Sequence, residues 1–232
     1  MRPGDPQPVS RDGAQARGTD ERLRWAYETL LSAFGRQHWW PGGGPFEVMV
    51  GAVLTQNTSW RNVEHALRAI REAGAMEPEI MCGLPPEKLQ ALCRPAGSWR
   101  RKAATLSRLS GIVSRSYGGL PALLGMETGR LRTTLLSVAG IGPETADAVL
   151  VYAARRPVFV VDAYARRYAE RHRIVSPSAS YADLQLVFES ALRADHVTLG
   201  ECHALLVELG KRYCRPTPEC DECPLRTDLP ST

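Results

Sequence analysis

The chain has no long apolar run. None of its 232 residues lies in a stretch near the ~18 consecutive apolar positions that a membrane-spanning helix needs, so no membrane association is expected. The N-terminus has no basic flank and apolar core of a secretory signal, so none is expected there. No segment pairs polar–apolar alternation with a two-residue turn, which argues against β-hairpins. Residues 158–161 alone look extended, too short and isolated to build a sheet. No internal repeat is visible. There are only six cysteines, and three crowd into residues 214–223. That pattern suits a metal site better than a disulfide framework and fits an intracellular, cytoplasmic protein.

What is present is ordinary for a globular protein: 44% hydrophobic and 23% charged residues, enough for one large domain or two small ones. The net charge is +4 and the pI about 8.8. This mild basic excess permits a nucleic-acid partner without requiring one.

Helical periodicity dominates. Residues 1–19, rich in Pro and Gly, read as a disordered tail. Residues 20–34 place Leu23, Ala26, Leu30 and Ala33 on one face. A loop carrying Trp39 and Trp40 follows; the pair either packs between helices or forms a stacking wall for a base taken out of a duplex. Residues 45–54 are apolar nearly all round and end at Gln56 and Asn57, which can cap the helix. Residues 60–73 form an amphipathic helix. Short helices over 79–82 and 86–93 hold Cys82 and Cys93, expected as buried thiols. Arg100, Arg101 and Lys102 open the helix that runs to Val113, as phosphate contacts or as a solvated face. Helices over 181–194 and 201–213 close the pattern; His203, Glu208 and Lys211 on the last read as surface groups.

Residues 131–153 carry the sharpest local signal. Leu131, Leu135 and Val138 form one apolar face, Ala146, Val149, Leu150 and Ala153 a second, and Gly140-Ile141-Gly142-Pro143 joins them. Two helices joined so tightly must fold back on each other. Gly140 and Gly142 permit positive φ and leave amides open; Pro143 suits a first helical turn. Bare N–H groups beside a helix N-terminus, near Glu144 and Thr145, bind anions such as a DNA phosphate without reading sequence. Asp162 follows a short extended run and reads first as a helix N-cap. Beyond it lie Arg166, Arg167, Arg171 and Arg173, suited to phosphates.

The hairpin GIGPETADAVL together with Asp162 resembles the helix-hairpin-helix DNA glycosylases of the endonuclease III superfamily, and within it most closely the 3-methyladenine glycosylase branch. The resemblance covers about residues 21–225. It implies an all-α fold of two helical lobes with a C-terminal cysteine loop. Residues 45–154 would form a helical barrel carrying the hairpin, and residues 20–44 with 155–232 the second lobe. It implies a partner, double-stranded DNA containing a damaged base, and a monomeric DNA N-glycosylase of base-excision repair. Asp162 becomes the catalytic carboxylate, and Gln56 or Asn57 the wedge that fills the hole left by the flipped base. Gly140, Gly142, Thr145, Arg166 and Arg167 become DNA contacts, and Trp39 and Trp40 the base pocket.

The family closes its C-terminal loop on a [4Fe–4S] cluster with four cysteines. Here Cys214, Cys220 and Cys223 match three, and Leu229 stands where the fourth belongs. Asp228, one residue earlier, is the nearest candidate fourth ligand, though its oxygen is harder than thiolate; zinc on Cys₃Asp and no metal at all remain open. Cys202 lies twelve residues before Cys214, roughly 18 Å along a helix at about 1.5 Å per residue, which argues against it.

Bifunctional relatives carry a lysine in the hairpin that forms a Schiff base with the sugar. Glu144 occupies that position. A carboxylate forms no imine, so the resemblance implies a monofunctional enzyme with lyase activity absent or weak. Asp162 would stabilise the developing cationic sugar and orient water. A cationic alkylated purine leaves easily and would stack on tryptophan. The alternatives are an endonuclease III-like glycosylase for oxidised pyrimidines with weak lyase activity, and a lesion-binding protein whose catalysis has decayed.

Overall fold

The computed structural model describes residues 17–40 and 43–230. The expected tail lies outside them, except at its end, where Thr19 already belongs to a helix. Among the described residues all regular structure is helical, and there is no strand. The chain divides into two compact units: Trp40–Val158, and the residues up to Trp39 taken with those from Phe159 onward.

The Trp40–Val158 unit is built on α2 (Pro45–Leu54), buried at every position from Phe46 to Leu54. A helix so apolar needs partners on all sides. α3 (Trp60–Glu72) supplies Val63, Ala66, Leu67 and Ile70, as their spacing predicts. α4 (Pro78–Gly83), α5 (Pro86–Cys93) and α6 (Trp99–Gly111) complete that side. α2 also buries a charge: Glu47 accepts both arms of Arg71, at 2.8 and 2.9 Å. α6 runs on as a π-helical turn, Ile112–Ser116, before α7 (Leu120–Leu124). Burial pushes the Cys93 thiol up to about 12. Cys82 is only half-buried, with its sulfur 3.5 Å from Ser114 Oγ.

Lys102 departs from both readings of its basic run, a phosphate contact and a solvated face. Its side chain is buried, and Nζ donates to the carbonyls of Leu54, at 2.8 Å, and Ala96, at 2.7 Å. It therefore satisfies carbonyls that a helix end leaves without partners. Desolvation lowers its pKa.

The second unit comprises α1 (Thr19–Phe34), α10 (Ala163–Arg171), α11 (Tyr181–Leu192), α12 (His196–Arg212) and the loop from Cys214. α1 buries Leu23, Ala26 and Leu30, but Ala33 faces out. Phe159 stacks on Phe188 at 4.1 Å. α12 begins at His196, five residues before the expected Glu201, because Asp195 caps it through the Thr198 N–H. Gly210 lets α10 approach closely: a Cβ there would stand 2.1 Å from the Tyr164 ring.

Candidate active-site and nucleic-acid-contact residues

The hairpin lies in the Trp40–Val158 unit. α8 (Thr128–Leu136) leads in, capped by Glu127, whose carboxylate accepts the Gly129 and Arg130 amides, each at 2.9 Å. α9 (Pro143–Ala148) leads out and continues as a π-helical turn, Val149–Ala153. Gly140 has φ +101, and a Cβ there would meet Thr105 Oγ1 at 2.1 Å, so both conformation and space demand glycine. Gly142 departs from the expected positive φ: it is extended at φ −98 and serves as the N-cap of α9. Asp147, wholly buried, takes both arms of Arg132 at 2.7 and 3.1 Å. This pair clamps the two hairpin helices together. Spacing places Asp147 beside the buried Ala146, a signal that an inward carboxylate needs a partner.

Gln56 and Asn57 separate in role. Gln56 Nε2 donates to the Gly140 carbonyl at 2.9 Å and to Thr145 Oγ1 at 3.0 Å. It braces the hairpin, and the Thr145 hydroxyl turns inward to receive it. Asn57 is exposed, at φ +53, a left-handed conformation that Asn tolerates better than most residues. Glu144 is exposed at the start of α9.

Asp162 lies in the other unit, as the N-cap of α10. Oδ1 accepts the Ala165 N–H at 2.7 Å. Oδ2 lies 3.5 Å from His203 Nε2, and both side chains are largely buried. The cap is therefore real, and a buried histidine faces the carboxylate's second oxygen. His203 departs from its surface reading. It falls in register with the buried Leu199, Leu206 and Gly210, so helical periodicity already placed it inside.

The arginines after Asp162 are largely engaged within their unit. Arg166 donates to the Ala179 carbonyl at 3.0 Å and pairs with Glu170. Arg167 Nε donates to the Cys214 carbonyl at 2.6 Å, its guanidinium over the Tyr164 ring. Arg171 bonds the Arg215 and Pro216 carbonyls at 2.7 and 2.9 Å. Arg167 and Arg171 thereby staple the cysteine loop. The tryptophans also separate. Trp40 packs edge-on to Trp60 at 5.1 Å, near Tyr152, and Gly51 has no side chain because the Trp40 ring fills that space. Trp39 belongs to the other unit, half-buried, with Lys211 Nζ 5.6 Å from its ring centre.

A tight Gly-kinked hairpin in one helical unit and an N-capping aspartate opening a helix in the other recur in one family of DNA repair proteins. The profile of the HhH-GPD superfamily of base excision DNA repair proteins matches residues 50–193. The chain belongs to that superfamily. It is 40% identical to a Methanocaldococcus jannaschii protein provisionally named a DNA repair glycosylase, over 89% of this chain and 94% of that one. It is 30% identical to Thermotoga maritima endonuclease III, over 85% and 87% respectively. Among solved structures it resembles H. pylori 3-methyladenine DNA glycosylase (MagIII) bound to 1,N6-ethenoadenine, with a TM-score of 0.74 and 28% identity, covering 84% of this chain and 98% of that one. A non-covalent endonuclease III–DNA complex shares the fold, with a TM-score of 0.78 at 20% identity, over 92% and 96%.

For an HhH-GPD chain the cysteine loop raises the question of an iron–sulfur cluster. Cys214, Cys220 and Cys223 line one small cavity with Leu229, Arg171 and His172. Asp228, the expected fourth ligand, does not line it. Its carboxylate is buried and taken by Arg22, at 2.7 and 3.0 Å, and by His172 Nδ1, at 2.9 Å, so it has no oxygen to spare for a metal. Among the described residues no group of three or more of His, Cys, Asp and Glu is arranged to hold a metal ion. The enclosed space is about 20 Å³, room for roughly one water. Pro218 and Glu219, which line it on one side, are exposed. The donor chemistry, three thiols about one cavity, fits a cluster that takes each ligand on a different iron.

Proposed function

We propose that this chain is a monofunctional DNA glycosylase. It would hydrolyse the N-glycosidic bond of a damaged base in duplex DNA, an alkylated purine above all, and leave the strand uncut. The observation that carries this is the supply of side-chain amines. The chain has three lysines, Lys88, Lys102 and Lys211, and none lies in the hairpin, where Glu144 stands. The Lys102 amine is buried and spent on two carbonyls. Imine formation at the sugar needs a free amine, and the hairpin supplies none, which favours water as the nucleophile.

Asp162 would supply the negative charge that a cationic sugar needs as its base departs, and its second oxygen would orient the attacking water. A carboxylate in this role asks little of the rest of the site if the leaving base is already cationic. Trp39, half-buried and not packed into the core as Trp40 is, would stack on such a base. The 28% identity to MagIII supports the alkylpurine assignment. Asn57, exposed and left-handed, would be the wedge, with Gln56 behind it.

The test is a strand-cleavage assay on duplexes bearing one alkylated purine, one oxidised pyrimidine or one preformed abasic site, each with and without alkali. The expected result is alkali-dependent cleavage of the alkylated duplex alone. Cleavage without alkali overturns the monofunctional assignment. Activity on the oxidised pyrimidine alone favours a second reading, to which the 30% identity with an endonuclease III lends support. Binding with no cleavage of any duplex overturns catalysis altogether.

A further inference from the structure

Three cysteine ligands leave a cluster one short, and the position of the fourth is hydrocarbon, Leu229. The same cavity wall carries one more ligating side chain that the sequence pattern does not flag. His172 follows the last residue of α10, 4% exposed, and lines the cavity with the three thiols.

Its ring is fixed from behind. Nδ1 lies 2.9 Å from Asp228 Oδ2. Asp228 is in turn gripped by Arg22, and the same guanidinium donates to the His172 carbonyl at 2.7 Å. A carboxylate at 2.9 Å accepts, so Nδ1 carries a proton, and in the neutral ring Nε2 is then the nitrogen with the lone pair. Among the described residues Nε2 has no hydrogen-bond partner. A carboxylate that fixes one histidine nitrogen while the other is left free is the outer arrangement of metal-ligating histidines. The thiols show a matching feature: Arg171 Nη1 donates to Cys214 Sγ at 3.3 Å, a hydrogen bond to sulfur of the kind that tunes a bound cluster. Of the other ionisable groups at the cavity, Glu219 is exposed and paired with Arg215 at 3.0 Å, and Tyr213 stacks on Phe34 at 6.2 Å.

We infer that His172 is the fourth ligand of an iron–sulfur cluster held by Cys214, Cys220 and Cys223, with Asp228 and Arg22 positioning its ring. The loss of the fourth cysteine is then compensated from α10. Asp228, which the sequence offers as the ligand, instead holds the ligand in place. Histidine in place of cysteine on cluster iron raises the reduction potential in the clusters where it occurs. This inference does not depend on which base is excised.

The test uses the full chain, prepared anaerobically with iron and sulfide. Iron, acid-labile sulfide and visible charge-transfer absorbance are measured for the wild type, His172→Ala, Leu229→Cys and the double variant, with helicity from circular dichroism as the folding control. The wild type should hold a cluster whose reduced form shows hyperfine coupling to a histidine nitrogen. His172→Ala should lose roughly tenfold or more of its bound iron. Leu229→Cys should restore it in the His172→Ala background, now without the nitrogen coupling. A wild type that takes up no iron, or zinc instead, overturns the inference. So does a His172→Ala variant with the full cluster content, or a wild-type cluster with no nitrogen coupling, whatever the variants do.

Discussion

His203 Nε2 lies 3.5 Å from Asp162 Oδ2, while Asp162 Oδ1 accepts the Ala165 N–H. The aspartate thus caps its own helix with one oxygen and faces a histidine of a neighbouring helix with the other. One oxygen anchors; the other keeps a partner that sets its direction. His203→Ala should lower the single-turnover rate of base release roughly ten- to a hundredfold, the scale of a small misplacement of a reacting group, and leave lesion-duplex affinity unchanged. His203→Gln, which still offers an N–H, should recover most of the rate. Equal losses in both variants, or a loss of affinity instead of rate, would count against a positioning role.

Gln56 and Asn57 are neighbours with opposite expected phenotypes. Gln56→Ala deletes two hydrogen bonds to the hairpin, each worth about 0.5–1.5 kcal/mol, and should lower the melting temperature. Asn57→Ala removes an exposed side chain and should leave melting unchanged while weakening binding to lesion duplex. Thermal melts and equilibrium binding on both variants decide it; the reverse pattern would make Gln56 the wedge.

Lys102 and Arg101 are adjacent basic residues in contrasting settings. Lys102→Met leaves the Leu54 and Ala96 carbonyls without their donor, at a cost of about 1–3 kcal/mol for an unsatisfied buried group, measurable by denaturant unfolding. Arg101, exposed on α6, should change no stability when replaced by Ala. If it touches a phosphate, the salt dependence of DNA binding should flatten by about one unit of slope.

Most of the fold was legible because it follows from periodicity. The buried positions of α3, the bounds of α2 and the hairpin register all follow from apolar spacing in the sequence. What was hidden is the partner of each charge. Nothing in Arg100-Arg101-Lys102 says that the third residue turns inward, because its acceptors are carbonyls 48 and 6 residues away. Likewise Asp228 looked like a ligand because its partner Arg22 is 206 residues distant. His203 is legible in the sequence: its register with Leu199 and Leu206 places it inside, although its polarity alone suggests the surface.

The hairpin's lead-in helix depends on one exposed carboxylate. The Gly129 and Arg130 amides hold the Glu127 carboxyl below its usual value of 4.5. A carboxylate depressed in the folded state stabilises above its unfolded pKa, and the contribution is lost as pH falls through the folded pKa. Glu127→Ala should therefore melt below the wild type at pH 7, and the gap should shrink progressively as the pH is lowered beneath about 4.5. Melts of both proteins across that range check it; a gap independent of pH would mean that the carboxylate's charge contributes nothing to the cap.

The central claim is that Asp162 performs base release from an uncut strand. Asn caps helices as well as Asp does, so Asp162→Asn removes the charge and keeps the fold. The decisive measurement is single-turnover release of an alkylated purine by wild type and Asp162→Asn, with the affinity of each for the same duplex. Release should be abolished in Asp162→Asn while affinity and melting temperature are retained. Release at the wild-type rate by Asp162→Asn would contradict it and leave Asp162 as a helix cap alone.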